Sequence, residues 1–329
     1  MNMNKEGICP VCDSIGFEEQ CLQCGWYVPE HWSIEQTMQH LEQRRQIWYE
    51  DEKMPRNSNV ESFGGDDFDQ EDSVNAFFEQ DEFPLEPPSI EYPMRYISGC
   101  QFQMGSPEDE EGRDADEQQH LVTLTRPYYI GLTEIPQDLW IEVFLHNPSL
   151  FRGIRRPVDS VTWFECIQFC NIYSQKMGLE PAYFFKGTNV FWNRNANGFR
   201  LPTEAEWELA SRISRSEHFE KVDYAWFQQN SNWSTRSIQK PQDDELLDFS
   251  GNVWEWCWDL YGLFTKESQI DPIGVTEGEE RVLKGGSYVD DVRVLRPANR
   301  AFSEPSKSSD NIGFRIVRNY EESSMTPKQ

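Results

Sequence analysis

An α+β domain, rich in loops and preceded by a small zinc ribbon, is the fold class this sequence predicts, and three observations predict it. Cys9-Pro-Val-Cys12 and Cys21-Leu-Gln-Cys24 stand near the start, separated by eight residues. Trp254, Trp256 and Trp258 alternate with other residues, so on an extended chain all three share one face. Ser33 with Gln36 and Thr203 with Glu206 are capping-box pairs that start helices among shorter, strand-like runs. A chain of 329 residues suffices for one or two domains with a real core.

The ribbon occupies residues 1–32. Cys9, Cys12, Cys21 and Cys24 on two tight turns supply the four soft thiolates that structural zinc prefers. So short a segment would draw its folding energy from the metal. A redox dithiol or four unrelated thiols are the alternatives. Lys5 is its only Lys or Arg, against Glu6, Asp13, Glu18, Glu19 and Glu30. A phosphate backbone needs the opposite balance, so the ribbon reads as a structural or protein-contact module.

Residues 33–50 read as an amphipathic helix with Ile34, Met38, Leu41 and Trp48 on one stripe. It packs on the ribbon or main domain, or pairs with a second copy. Residues 51–92 form an acidic linker, with 13 acidic residues from 51 to 91 against Lys53 and Arg56. Its apolar surface is too small to offset chain entropy, which predicts disorder. Phe63, Phe68, Phe77, Phe78 and Phe83 interleave with the acids, a composition open to a solvated spacer or a short docking segment.

The main domain spans 93–320, and 321–329 is a disordered tail. Tyr96, Phe102 and Met104 alternate around Gly99 as strands flanking a turn, followed by strands at Leu121–Leu124 and Pro127–Glu134. Helices are expected over Pro136–Leu145, over Ser160–Met177, and from Thr203 toward Arg212. Cys166 and Cys170, four apart on one helix face, read as buried small hydrophobes rather than ligands. Gly285 and Gly286 mark a tight backbone passage.

A formal charge of −27 disfavours nucleic acid and anionic membrane surfaces as partners, though not a basic protein. No window reaches the length of an apolar membrane span, and the N-terminus lacks the apolar core of a signal peptide. Cysteines paired for metal suit a reducing compartment, so the expected location is cytoplasmic.

Four late segments carry a more specific signal: Gly251-Asn-Val-Trp-Glu-Trp-Cys-Trp-Asp259, Arg281-Val-Leu-Lys-Gly-Gly-Ser-Tyr288, Arg296-Pro-Ala-Asn-Arg300 and Asn311-Ile-Gly-Phe-Arg-Ile-Val317. With Met104-Gly-Ser106 and Gly198-Phe-Arg-Leu-Pro-Thr-Glu-Ala-Glu-Trp-Glu208 upstream, they resemble, in order, the formylglycine-generating enzyme (sulfatase-modifying factor) family. The resemblance runs from about Tyr96 to Asn319. It implies a formylglycine-generating-enzyme-like variant of the C-type lectin fold, and it speaks to fold more than to function.

Three chemistries follow from it. The first is calcium, for which the resemblance points to Asp248 and Glu255 side chains with the carbonyls of Gly251 and Val253; Glu255 as a mere cap for backbone amides is the alternative. The second is oxidation. Family members that make formylglycine use a cysteine pair just beyond the Gly-Gly-Ser-Tyr segment, where soft thiolates hold copper. Here that run contains no cysteine, Asp290 stands where the first thiol is expected, and Cys257 is the last cysteine in the chain. An iron site is a further alternative, although histidines 31, 40, 120, 146 and 218 form no pair at helical metal spacing.

The third is a binding face. Ser287, Tyr288, Asp290, Asp291, Arg293, Arg296, Asn299 and Arg300 lie on loop-rich chain over a rigid scaffold, where recognition residues tend to sit. The arginines could equally serve backbone carbonyls that a loop-rich fold leaves unpaired. The expectation is a non-oxidase recognition or scaffold module for a protein partner or small ligand, with structural zinc and calcium as cofactors and no catalytic residue. A metal-dependent oxidoreductase is the rival.

Overall fold

Two of the three helix starts among the described residues are written by reciprocal hydrogen bonds. In the computed structural model, which describes residue 90 and residues 92–186, 189–217 and 225–321, Thr162 Oγ1 accepts from the Glu165 amide at 3.2 Å while Glu165 Oε2 accepts from the Thr162 amide at 2.7 Å. Thr203 and Glu206 repeat the device at 3.2 and 2.9 Å. The capping predicted at Thr203 is therefore present. The expected ribbon, amphipathic helix and acidic linker, apart from the linker's last residues, lie outside the described residues, as does nearly all of the tail.

Strand predominates over helix. Among the described residues there are thirteen short strands: β1 (Met94–Ile97), β2 (Gln101–Met104), β3 (His120–Thr123), β4 (Tyr128–Gly131), β5 (Tyr183–Lys186), β6 (Asn189–Trp192), β7 (Phe199–Arg200), β8 (Trp254–Leu260), β9 (Gln269–Ile270), β10 (Arg281–Lys284), β11 (Ala301–Ser303), β12 (Ile312–Gly313) and β13 (Val317–Asn319). Three helices accompany them: α1 (Gln137–Phe144), α2 (Trp163–Lys176) and α3 (Glu204–Glu217). One four-stranded sheet has the order β1-β4-β13-β7 and the other β11-β10-β8-β12; β2-β3-β9 and the β5-β6 hairpin complete the set. The strands on either side of Gly99 do not pair with each other: β1 joins β4, and β2 joins β3.

β8 is the central element of the second sheet. Its register opposite β10 puts Trp256 against Leu283 and Glu255 against Lys284, and β12 runs parallel on its other side. Trp254 and Trp256 face a core shared with α1 and α2, against which Trp258 also packs, while Cys257 faces a second core with Trp207 and Phe249. Alternation thus splits the strand between two cores, as the period of two requires. Indole donors lock this arrangement: Trp163 Nε1 donates to the Cys257 carbonyl at 2.9 Å, and Trp256 Nε1 to that of Val161 at 3.0 Å. Both bonds tie the start of α2 to β8.

In the first core Trp140 stacks on Phe169 at 5.5 Å, and Phe314 meets both rings edge-on. Cys166 and Cys170 are fully buried there, and burial pushes both thiols well above their ordinary range. They behave as packing groups. Gly285 and Gly286 have φ of 102° and 74°, and a side chain on Gly286 would meet Leu295 at 2.5 Å. The tight passage expected at this pair is real. It turns the chain from β10 into the loop that carries Ser287.

Candidate functional site

The loops beyond β10 are held by buried ion pairs rather than left open. Arg296 grips Glu117 with two bonds of 2.7 and 2.6 Å, and also donates to Glu110 and to the carbonyls of Gly112 and Arg293. Arg300 grips Glu204 at 2.6 and 2.9 Å and donates to the carbonyls of Asp116 and Gly262. Lys284, fully buried, sits 3.6 Å from Glu204 and 3.4 Å from Glu208. The Glu204 carboxyl is held below its usual range because Arg300 and Lys284 outweigh the opposing effect of burial. Bidentate pairing of this kind fixes orientation as well as charge.

This divides the binding face expected from the sequence. Ser287, Tyr288, Arg296, Asn299 and Arg300 are buried, whereas Asp290 and Asp291 are half-buried and Arg293 is exposed. Arg296 and Arg300 are therefore structural clamps, a correction to their place on an open surface. The physical reason is counter-charge from distant chain: Glu117, at the end of the charged loop from 108 to 117, for Arg296, and Glu204, at the start of α3, for Arg300. Asn299 belongs with them, donating to Asp114 at 3.3 Å. Arg293 pairs with Asp291 at 2.8 Å in the open.

Ser287 and Asp290 form a closed turn. The Asp290 carboxylate accepts from the Ser287 amide at 2.9 Å and from its hydroxyl at 2.5 Å, and Asn311 Nδ2 donates to the same hydroxyl at 3.3 Å. Tyr288 points inward, its ring edge-on to Phe151 at 5.2 Å, and burial first and then the nearby Asp310 push its hydroxyl above the usual phenol range. The Tyr288 backbone is tied to Asn252 and Ser231.

The residues expected to hold calcium lie beneath this turn. Glu255 accepts two bonds from Arg315, at 2.6 and 2.7 Å, and one from Trp207 Nε1 at 2.8 Å. Asp248 is buried with φ of 57°, and neither of its carboxylate oxygens has a hydrogen-bond partner. Glu134, fully buried, keeps one orphan oxygen and receives Asn252 Nδ2 on the other at 3.1 Å. Burial, relieved only in part by Arg315 and worsened by Glu255, pushes Asp248 up to about 7. Burial and the charges of Asp248 and Glu255 raise Glu134 well above its usual range. Three acids thus share one guanidinium.

That excess of buried acid fits a divalent cation at Asp248. Among the described residues, no three His, Cys, Asp or Glu side chains converge to hold a metal by themselves, so the carbonyls of Gly251 and Val253 would have to take part. The two described histidines are engaged elsewhere. His120 Nδ1 meets the Gln118 carbonyl and its ring abuts Phe264, and His146 Nδ1 meets the Phe144 carbonyl.

Against this geometry the comparisons are specific. A family model for the sulfatase-modifying factor enzyme 1-like domain matches residues 88–320. The chain belongs to this family. It is 32% identical over 238 residues to a chaperone protein LppX of Paenibacillus barcinonensis, covering 60% of this chain and 81% of that protein. It is 33% identical over 150 residues to a formylglycine-generating enzyme of Streptomyces coelicolor, 36% of this chain and 46% of the enzyme. A serine/threonine-protein kinase pkn1 of Chlamydia pneumoniae is 35% identical over 164 residues, yet the match spans only 26% of the kinase. Among solved structures, Treponema denticola variable protein 1 superposes with a TM-score of 0.62 at 32% identity, covering 70% of this chain and 96% of that one.

A separate cavity of about 70 Å³ lies beside the clamps of this sulfatase-modifying-factor-like domain, lined by His120, Glu204, Asp259, Phe264 and Arg300 among others. Asp259 is buried and pushed up to about 8, by burial first and then by the charge of Glu204. Sequence reading missed it, since nothing in one dimension sets it apart from a strand-end aspartate. Its raised value means the folded state keeps a proton that the unfolded chain releases near pH 4. Stability on this account falls as pH rises from about 4 to 8 and is flat above. Asp259→Asn is expected to raise the melting temperature at pH 8, with the gap closing at pH 5; a gap independent of pH would refute the assignment.

Proposed function

We propose that this protein is a recognition module of the sulfatase-modifying-factor type, using the loop from Ser287 to Asp291 and its neighbours as its ligand face. The supporting observation is the Ser287–Asp290 turn. At the place where the formylglycine-generating relatives are expected to carry thiols, this chain has a carboxylate locked onto a serine hydroxyl at 2.5 Å, and no cysteine follows Cys257. A hard, already hydrogen-bonded carboxylate is a poor replacement for soft copper ligands. Likeness to a chaperone protein and to part of a kinase accords with a domain used for binding, mounted on different chains.

Calcium at Asp248, Gly251, Val253 and Glu255 belongs to the same proposal, as do zinc at Cys9, Cys12, Cys21 and Cys24, a cytoplasmic setting and a protein partner. Calcium there would neutralise the surplus of buried acid and brace the strand beneath the ligand face. Calcium is expected to raise the melting temperature by several degrees over a chelated sample, and Asp248→Asn to abolish the increment. No shift in the parent protein at millimolar calcium would remove this part of the reading.

The face itself is tested with a photo-crosslinking residue at position 291 and, as a control, at exposed position 277. A defined adduct from 291 only, disrupted by Asp290→Ala, is the expected result. Copper-dependent oxygen uptake with a cysteine-containing peptide, yielding formylglycine, would overturn the proposal.

A further inference from the structure

Two loops beside the Ser287 turn bring two aspartates together. The Ser160 amide donates to the Ser309 carbonyl at 3.0 Å, which sets Asp159 and Asp310 on adjoining strands of loop. Asp159 is completely buried. Its Oδ1 accepts from the Leu150 amide at 2.7 Å and the Ser160 hydroxyl at 2.9 Å, but its Oδ2 has no partner. Asp310 is close enough to bear on the ionisation of Asp159, and both bear on the Tyr288 hydroxyl. The guanidinium that feels Asp159 is that of Arg156, and it is turned onto the Thr235 carbonyl.

Aromatic surface flanks this acid. Phe151, half-buried, stands edge-on to Tyr288, and Leu150 beside it is 59% exposed. Half-buried Asp310 and Asp290 stand nearer the surface than Asp159. Carboxylates next to aromatic rings suit an organic cation, which draws on both charge and ring face. A bare metal ion would want several convergent oxygen ligands, and among the described residues no three His, Cys, Asp or Glu side chains provide them.

We infer that the Asp159, Asp310, Tyr288 and Phe151 cluster is a subsite for a guanidinium or ammonium side chain presented by a protein partner. The inference rests on the reading of this face as a ligand surface and names what it takes. The net charge of −27 favours the approach of a basic partner, while the orphan oxygen of Asp159 supplies the local selectivity.

The test uses the full chain in about 150 mM salt, where long-range attraction is screened beyond roughly 8 Å. Nα-acetyl-arginine amide is titrated against its neutral isostere, Nα-acetyl-citrulline amide, by calorimetry or ligand-observed NMR. Arginine amide is expected to bind at least tenfold more tightly. Asp159→Asn and Asp310→Asn should each remove most of that preference, and Glu277→Gln with Glu279→Gln, on an exposed loop, should not. Asp159→Asn preserves the acceptor for the Leu150 amide; should it still fail to fold, Asp310→Asn decides the matter.

Equal binding of the two amides, or unchanged preference in both aspartate variants, would overturn the inference. So would displacement of the arginine amide by calcium alone at the same site. Should the arginine preference be missing while position 291 still yields its defined adduct, the face stands and only the cation subsite falls. Should both fail, the recognition reading falls with it.

Discussion

Arg315→Met is expected to destabilise the protein by roughly 3–5 kcal/mol, the range for removing one partner of a buried ion pair. Arg315 is fully buried, donates twice to Glu255, and also donates to the carbonyls of Gly131 and Leu247. Its guanidinium lies 3.5 Å from the Phe249 ring centre. Burial alone would lower its pKa, but the charge of Glu255 outweighs that and raises it. Without it Glu134, Asp248 and Glu255 lose the cationic side chain they share among the described residues, and two backbone carbonyls lose donors. Urea denaturation checks this, and the pH dependence identifies the cause. Glu134 and Asp248, both raised by burial, can take up protons at pH 5, so the loss should be smaller there than at pH 8. An equal loss at both would mean that packing, not charge, is what Arg315 provides. Arg315→Met with Glu255→Met should recover part of the loss, since the orphaned charge goes too.

The local half of this arrangement could be read in advance and the distant half could not. Capping at Thr203, tryptophan alternation along β8 and the turn at Gly285–Gly286 are short-range patterns, and the structure contains all three. That arginines in a loop-rich fold serve backbone carbonyls was also legible, and Arg296, Arg300 and Arg315 do so. Their carboxylate partners were not. Glu117 lies 179 residues from Arg296 and Glu204 lies 96 from Arg300, and nothing in one dimension joins them. The same distance hid Asp159, whose loop is joined to that of Asp310 by backbone bonds from Ser160 to Ser309 and from Trp163 to Pro305. Two-residue strands such as β7, β9 and β12 were invisible because periodicity needs more residues than they have.

The clamps also explain how a domain with so much loop can present a fixed face. Each of Glu117, Glu204 and Glu255 takes two bonds from one arginine, so chain without regular pairing is held by charge-assisted bonds. That leaves the residues between the clamps free to vary in chemistry while their backbone stays put. The Ser287–Asp290 turn is one such span, bounded by β10 on one side and Arg296 on the other.

The backbone beneath that span should be among the least tolerant positions, and a matched pair of substitutions measures it. Gly178, just past the end of α2, has φ of +69° and open space where a side chain would go. Gly178→Ala therefore costs only the left-handed conformation, about 1–2 kcal/mol. Gly251 has φ of +83°, and a methyl group there would sit 2.1 Å from the Trp226 carbonyl oxygen. That oxygen is fixed by the Asn252 amide at 2.7 Å, and the Gly251 amide itself holds the Gly285 carbonyl at 2.9 Å, so neither side can yield cheaply. Gly251→Ala should then cost about 4 kcal/mol or more, in the range reserved for gross steric conflict. Because Tyr288 hangs from the Asn252 carbonyl, the same change should weaken arginine-amide binding in whatever fraction stays folded. If Gly251→Ala proved no worse than Gly178→Ala, the close approach at Gly251 would not be what positions the Ser287 loop, and its register would have to come from the arginine clamps alone.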